Sequence, residues 1–304
     1  MMSKTGSDIW SKWLLQSRFG GNPQQLKSVM ENLYPARDKV LSNAALKENE
    51  VLLDVGCGDG FIAFGALEKQ ETCKVIFSDI SKALLDQAQS IAQEMDVLER
   101  CQFLVASADD LSVLGHESVD VVTTRSVLIY VAAKQAAFRE FYRVLRAGGR
   151  LSIFEPINRF SDAHPSPNAH SSPEHFFWGY DVTPVKDLAQ KVNEIFRRNQ
   201  LPDNDPMLDF DEYDLIAFAE QAGFGEIHLE LQVNIQPYAE RRDFETILRT
   251  APNPKMPTTE EVINEALTPT EAERFVSYLR STIEDKQAIR TIRNACAYLW
   301  AVKV

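Results

Sequence analysis

The chain has 304 residues, of which 44% are hydrophobic, and this suffices for the core of one large domain with additions or of two small domains. The 44 acidic residues outnumber the 32 basic ones and give a net charge of −12, so the surface should repel nucleic-acid backbones and anionic lipids. Nucleic acid and membrane are therefore disfavoured as partners, and no stretch approaches the ~20 apolar residues of a membrane span.

The four cysteines, Cys57, Cys73, Cys101 and Cys296, lack the spacing of a disulfide framework or of a paired-cysteine metal site. The first ten residues are polar and contain no hydrophobic signal core. These features predict a chain that works in a reducing cytoplasm and holds no metal ion.

Residues 1–48 are predicted to be mainly helical. Apolar residues from Ile9 onward follow a helical spacing that ends at Gly20-Gly21, and Pro35 is expected to separate two further helical segments. This region either packs on the body of the protein as a simple layer or forms a lid that brings Arg18 to a ligand.

From Val51 the pattern alternates between strands and helices, which predicts an α/β fold with a mostly parallel sheet and right-handed crossovers. Ser81 is expected to cap the helix after the second strand, and Gly148-Gly149 to end the helix after the fourth. The predicted strands are 51–55, 74–78, 102–106, 119–124, 151–154, 227–235 and 295–303.

Two segments interrupt this pattern. Residues 157–208 contain several prolines and aromatic residues together with His164, His170 and His175, and we interpret them as a cap over a substrate. A loop histidine could supply a base, although loop histidines are more often solvated. Residues 238–292 are predicted to be a helical insertion within a domain that spans 49–304.

The stretch V-L-L-D-V-G-C-G-D-G at 51–60 joins a strand to a helix through three glycines at alternate positions. Such a turn lets the backbone approach a nucleotide-like ligand closely. The dinucleotide fingerprint G-x-G-x-x-G requires a third glycine where this chain has Phe61, so the turn departs from the nicotinamide pattern. Asp79 closes the second strand, where an acidic residue can bind ribose hydroxyls.

At these residues the chain resembles the class I S-adenosylmethionine-dependent methyltransferases, most strongly over about 49–156. The motifs are the glycine stretch together with V-I-F-S-D-I-S, A-S-A-D-D-L, V-D-V-V-T-T-R-S-V-L-I-Y-V and R-V-L-R-A-G-G-R-L-S-I-F-E-P. The resemblance implies a Rossmann-like, doubly wound sheet of seven strands, mostly parallel with a reversed terminal strand. It also implies S-adenosylmethionine as the cofactor. The family often has aspartate where this chain has Ser107, so we expect Asp109 to replace it at the adenine.

The expected cofactor-binding residues lie on the glycine turn, at the ends of the second to fourth strands and in the N-terminal segment. They are Arg18, Asp54, Gly56, Cys57, Gly58, Asp59, Asp79, Ile80, Ser107, Ala108, Asp109, Arg125 and Ser126. Asp54, Asp59 and Asp79 suit a cationic donor that carries no phosphate. The candidate catalytic residues, which line the expected acceptor side, are Tyr130, Glu155 and Asn158; a structural role for Glu155, binding backbone amides before Pro156, is equally consistent with the sequence.

The leading hypothesis is methyl transfer to a small molecule, because T-R-S-V at 124–127 differs from the sequence of many nucleic-acid amino methyltransferases. A peptide acceptor stays open, and the oligomeric state is not indicated. Arsenite methylation is disfavoured because only Cys57 lies near the expected cofactor. The alternatives from other classes are a nicotinamide-dependent oxidoreductase and a non-catalytic module that binds the cofactor for protein interaction.

Overall fold

The computed structural model describes residues 8–18, 20–163, 175–199, 205–238, 243–285 and 290–304. Within them a seven-stranded sheet carries helices on both faces. Of the three candidate histidines in the cap, His164 and His170 lie outside the described residues. In this part of the chain no helix has the length and apolar character needed to cross a membrane.

The strands are β1 (Val51–Val55), β2 (Lys74–Asp79), β3 (Cys101–Val105), β4 (Val119–Arg125), β5 (Leu145–Pro156), the short β6 (Phe176–Phe177) and β7 (Tyr180–Asp181), β8 (Glu226–Tyr238) and β9 (Arg290–Val302). The main sheet has the order β3-β2-β1-β4-β5-β9-β8. Strands β1 to β5 are parallel, and β9 runs antiparallel to both of its neighbours. The predicted Rossmann-like sheet with a reversed terminal strand is therefore confirmed.

The helices are α1 (Ile9–Lys12), α2 (Pro23–Ala44), α3 (Phe61–Lys69), α4 (Lys82–Glu94), α5 (Lys134–Val144), α6 (Asn158–Ala163), α7 (Lys186–Asn199), α8 (Glu212–Ala222), α9 (Phe244–Arg249), α10 (Thr259–Ala266) and α11 (Pro269–Glu284). Helices α2, α3 and α4 bury one face of the sheet, and α5 and α8 bury the other. As predicted, Ser81 caps α4. In the structure, Gly223 ends α8 in the left-handed conformation.

The cap and the late helical insertion share a core of their own. Apolar residues of β6, β7 and α7 pack against α9, α10 and α11, with Phe275 and Leu279 fully buried among them. The two insertions, which are separated in the sequence by α8 and β8, therefore form one helical body.

Two local predictions were wrong. Pro35 lies inside the single 22-residue helix α2 and does not divide it, because the packing of Val40 and Leu41 on the sheet outweighs the local proline penalty. Helix α5 ends at Val144, before the glycines, because Leu145 is already extended. Gly148-Gly149 instead lies in β5, at the register shift where that strand pairs with β4.

Gly60 tests how tightly the turn before α3 is packed. Its φ is +86°, and an added Cβ would lie 2.5 Å from the Phe64 ring and 2.9 Å from the Phe77 ring. Gly60→Ala should therefore lower the free energy of unfolding by more than the ~1–2 kcal/mol of left-handed strain alone. Urea denaturation of the purified variant measures this change.

Two other glycines supply matched controls. Gly148 has φ +74° with no atom within 4 Å of an added Cβ, so Gly148→Ala measures backbone strain without a clash. Gly115→Ala, which introduces neither, should be nearly neutral. Equal losses at Gly60 and Gly148 would contradict the close ring packing.

Candidate active site

A cavity of about 540 Å³ opens at the carboxyl ends of β1 to β5, beneath the N-terminal segment. Loops that follow parallel strands meet at this edge, which is where open α/β sheets bind ligands. The residues that line it are Trp10, Trp13, Leu14, Arg18, Gly56, Cys57, Gly58, Asp59, Asp79, Ile80, Leu84, Ala106, Ser107, Ala108, Asp109, Arg125, Ser126, Val127, Ile129, Tyr130, Val131, Ala132, Pro156, Asn158, Trp178, Met207, Thr250, Ala251 and Pro252.

The glycine turn forms one wall of the cavity. Gly56, Gly58 and Gly60 all have positive φ values, between 57° and 86°, a conformation that disfavours other residues. An added Cβ at Gly56 would lie 2.4 Å from Val127, and one at Gly58 would lie 3.4 Å from Leu14 on the cavity side. The turn therefore exposes bare backbone to a ligand.

Asp79 joins this turn to the end of β2. Its carboxylate accepts hydrogen bonds from the backbone N–H groups of Gly58, at 2.9 Å, and Ser81, at 2.8 Å. Burial raises the pKa of Asp79, while these N–H groups oppose the rise. The side chain lines the cavity, so a ligand hydroxyl there meets an acceptor that is already oriented.

Asp54 does not line the cavity, contrary to its expected contact with the cofactor. It is buried beneath the turn, where its carboxyl group accepts hydrogen bonds from the Thr123 hydroxyl at 2.9 Å and the Ala63 N–H at 3.2 Å. Burial raises the pKa of Asp54 to about 7. Its position indicates a structural role, in which it links β1, β4 and the first turn of α3.

The loop after β3 lines the end of the cavity beyond Asp79. Ser107, Ala108 and Asp109 all face the cavity, and the Ser107 hydroxyl donates a hydrogen bond to the Asp109 carboxylate. Asp109 therefore lies next to the position where the family often has an aspartate. Whether it contacts adenine stays a prediction.

Glu155 also lies outside the cavity lining and is fully buried. Its carboxyl group accepts hydrogen bonds from the backbone N–H groups of Val127, at 2.9 Å, and Leu128, at 3.1 Å, in the turn that carries Tyr130. Burial raises the pKa of Glu155 to about 7. The catalytic assignment is not supported by this position; Glu155 holds the Tyr130 turn in place.

Part of the cavity wall is aromatic. The Tyr130 ring packs edge-on against Trp10, at a centroid distance of 4.9 Å, and against Trp13, at 6.3 Å. Burial raises the pKa of Tyr130 to about 12, so its hydroxyl stays protonated at neutral pH and can donate a hydrogen bond. Asn158, the remaining catalytic candidate, lines the cavity and donates a hydrogen bond to the Met207 carbonyl at 3.2 Å.

Two arginines face the same cavity. The Arg18 guanidinium lies over the Trp13 ring at 5.1 Å, and that of Arg125 lies over the Phe61 ring at 5.4 Å. Burial and the nearby positive charge of Arg125 lower the pKa of Arg18 to about 10, which leaves it cationic at neutral pH.

The N-terminal segment is fastened to two different parts of the molecule. The Ser81 hydroxyl donates to Asp8 at 2.7 Å, while the Trp13 indole N–H donates to the Ala251 carbonyl at 3.0 Å. The Ala251 N–H in turn donates to the Ser17 carbonyl at 3.0 Å. The segment thus covers the cavity between α4 and the helical insertion, in the place expected of a lid; its opening stays a prediction.

Sequence reasoning missed part of the lining. Thr250, Ala251 and Pro252 reach the cavity from the late insertion, and Met207 reaches it from the end of the cap. No motif marks these residues, and their distance along the chain from the glycine turn conceals their contribution. Among the described residues, no cluster of three histidine, cysteine or acidic side chains has the arrangement of a metal site.

Comparison with known proteins now adds to this geometry. Residues 46–200, half of the chain, match the family model described as the methyltransferase domain. The chain belongs to the methyltransferase-domain family. The predicted class of a methyltransferase that uses S-adenosylmethionine is thereby confirmed at the level of the family, and the nicotinamide alternative is not favoured.

Two curated relatives of this chain carry different names. It is 29% identical over 164 residues to the tRNA 5-carboxymethoxyuridine methyltransferase of Escherichia coli K12, a match covering 54% of this chain and 59% of that protein. It is 26% identical over 197 residues to the ubiquinone/menaquinone biosynthesis C-methyltransferase UbiE of Cereibacter sphaeroides, covering 62% and 72%. The chain thus spans less than two thirds of the first relative.

Among solved structures, the YcgJ protein of Bacillus subtilis superposes on this chain with a TM-score of 0.53 at 16% identity, over 89% of this chain and 98% of that one. This likeness concerns the fold.

Because one relative is named for tRNA, the expected exclusion of nucleic acid is not confirmed.

The buried position of Asp54 predicts a specific pH dependence of stability. The pKa of Asp54 is raised to about 7 in the folded state, so the protonated side chain stabilises the fold at low pH. This contribution to the free energy of unfolding is lost as the pH rises from about 4 to about 7. The Asp54→Asn variant has no carboxyl group at this position, so its free energy of unfolding does not undergo this loss. The variant should therefore gain on the order of 3 kcal/mol relative to the wild type across that range.

Urea denaturation at pH values from 4 to 8 measures both curves. Asp96→Asn, on the exposed surface after α4, controls for the loss of one carboxylate. Parallel curves for the wild type and Asp54→Asn would contradict the burial argument.

Proposed function

We propose that this chain transfers a methyl group from S-adenosylmethionine to a small-molecule acceptor bound in the covered cavity. One observation carries the proposal: the acidic, glycine-lined edge of the sheet continues into an aromatic chamber under the N-terminal segment. A donor and a small acceptor would thus lie side by side, shielded from water.

The donor half of the cavity fits S-adenosylmethionine. This molecule is cationic at sulfur and at its amino group and carries no phosphate. The described lining contains Asp59, Asp79 and Asp109 but no lysine, and the glycine turn leaves no Cβ in the way. We assign the turn to the methionine part, Asp79 to the ribose and the loop after β3 to the adenine.

The acceptor half is formed by Trp10, Trp13, Tyr130, Trp178 and neighbouring apolar residues. When bound, the donor supplies a methyl group activated by the sulfonium; in the transfer the S–CH₃ bond breaks, its electron pair stays on sulfur, and a bond to the acceptor forms. The chain contributes by orienting the two molecules and excluding water.

Among the described residues, no carboxylate or histidine lines the acceptor half of the cavity. Tyr130 is a hydrogen-bond donor because its pKa is raised to about 12. The net charge of −12 supports a small-molecule acceptor over tRNA.

Calorimetry with S-adenosylhomocysteine tests the donor site. Asp79→Ala should weaken binding by on the order of 1–3 kcal/mol, because the charge-assisted hydrogen bonds to the ribose are lost. Asp86→Ala, on the exposed face of α4, is the control and should bind as the wild type does. NADH binding in the absence of S-adenosylhomocysteine binding would instead support the oxidoreductase alternative.

Turnover requires a second measurement, in which labelled S-adenosylmethionine is incubated with metabolite extract and with tRNA. Tyr130→Phe keeps the ring contacts with Trp10 and Trp13 but removes the hydroxyl donor, so kcat/KM should fall roughly three- to tenfold with unchanged S-adenosylhomocysteine affinity. Label transfer to tRNA alone would overturn the small-molecule proposal. No transfer to either, despite binding, would support a non-catalytic module.

A further inference from the structure

Charged side chains of both signs line the cavity, and Asp59 on the glycine turn lies close enough to Arg18 to raise the pKa of that guanidinium. Asp79 and Asp109 follow β2 and β3, on the half assigned to the ribose and adenine. Arg18 and Arg125 lie at the other half, next to the aromatic chamber. In a chain with a net charge of −12, two cations facing one chamber indicate selection for an anion.

Arg125 is the last residue of β4 and is half-buried. Among the described residues it makes no ion pair and no side-chain hydrogen bond; its contact is with the face of Phe61, the first residue after the glycine turn. A guanidinium at such a site is stabilised when a ligand carboxylate pairs with it. Its position beside the turn matches the carboxylate of the donor's methionine part.

Arg18 lies on the acceptor side. Its guanidinium packs on Trp13, whose ring in turn contacts Tyr130. The nearby positive charge of Arg125 contributes to the lowered pKa of Arg18, so the two arginines repel each other. Asp59 offsets part of this repulsion, and an acceptor carboxylate beside Arg18 would offset it further.

The donor supplies one carboxylate, whereas each guanidinium fork can hold one in a bidentate pair. We propose that Arg18 binds a carboxylate of the acceptor, while Arg125 binds the carboxylate of the donor. The acceptor class is thus a small aromatic or otherwise planar carboxylic acid. This inference rests on the proposed function. It assigns Arg18 to the acceptor, whereas the sequence predicted a contact between Arg18 and the donor.

The surrounding rings support an aromatic body for this acid. Trp10, Trp13, Tyr130 and Trp178 all line the chamber, and flat apolar walls suit a planar ring. Tyr130 and Arg18 lie close enough for each to affect the pKa of the other. One anion can therefore contact both the guanidinium and the hydroxyl donor.

The test uses benzoate and benzamide as matched probes, which differ in charge but hardly in shape. Their binding to the protein saturated with S-adenosylhomocysteine is measured by calorimetry or ligand-observed NMR. Benzoate should bind roughly tenfold or more tightly than benzamide, as a charge-assisted pair implies. In Arg18→Gln this preference should vanish while S-adenosylhomocysteine affinity stays unchanged.

Three further variants complete the design. Arg18→Lys keeps the charge without the fork and should restore part of the benzoate preference. Arg125→Gln should weaken the binding of S-adenosylhomocysteine. Arg197→Gln, on the exposed surface of α7, should leave the binding of both ligands unchanged.

The outcomes separate the two proposals. If the wild type fails to bind S-adenosylhomocysteine, the proposed function fails. If it binds normally but benzoate and benzamide bind equally, or Arg18→Gln weakens S-adenosylhomocysteine and leaves the benzoate preference intact, only the assignment of Arg18 is overturned.

Discussion

The site depends on buried carboxyl groups that hold loops at one edge of the sheet. Asp54 supports the glycine turn and the start of α3 from below, and Glu155 supports the Tyr130 turn in the same way. Each accepts hydrogen bonds from backbone N–H groups that would otherwise be buried without partners. Burial raises the pKa of both to about 7, so the rigidity of these loops is obtained at some cost in stability at neutral pH.

These supports explain why two predicted site residues lie outside the cavity. An aspartate before a glycine turn and a glutamate at a strand end are acidic groups at the edge where ligands bind, and the sequence cannot tell which face of the loop each one takes. Asp79, at the corresponding end of β2, does line the cavity. The difference is one of register and packing: Thr123 on the adjacent strand draws Asp54 inward.

The fold itself could be predicted closely because local and global signals agree. Buried β-branched runs, the Ser81 cap and the Gly223 stop mark the element boundaries to within a few residues. Where the prediction failed, tertiary contacts decided the outcome: sheet packing carries α2 through Pro35, and pairing with β4 draws Gly148-Gly149 into β5. The union of the cap and the late insertion into one body had no local signal at all.

The acceptor chamber was the least predictable part for the same reason. Its walls come from the N-terminal segment, the Tyr130 turn, the cap and the insertion. Hydrogen bonds that join Trp13 and Ser17 to Ala251 help to bring these remote segments together. A donor site on consecutive strand ends can be recognised from spacing, whereas an acceptor site assembled from separate insertions cannot. The sheet therefore determines the donor site, and the elements added to the sheet determine which acceptor fits.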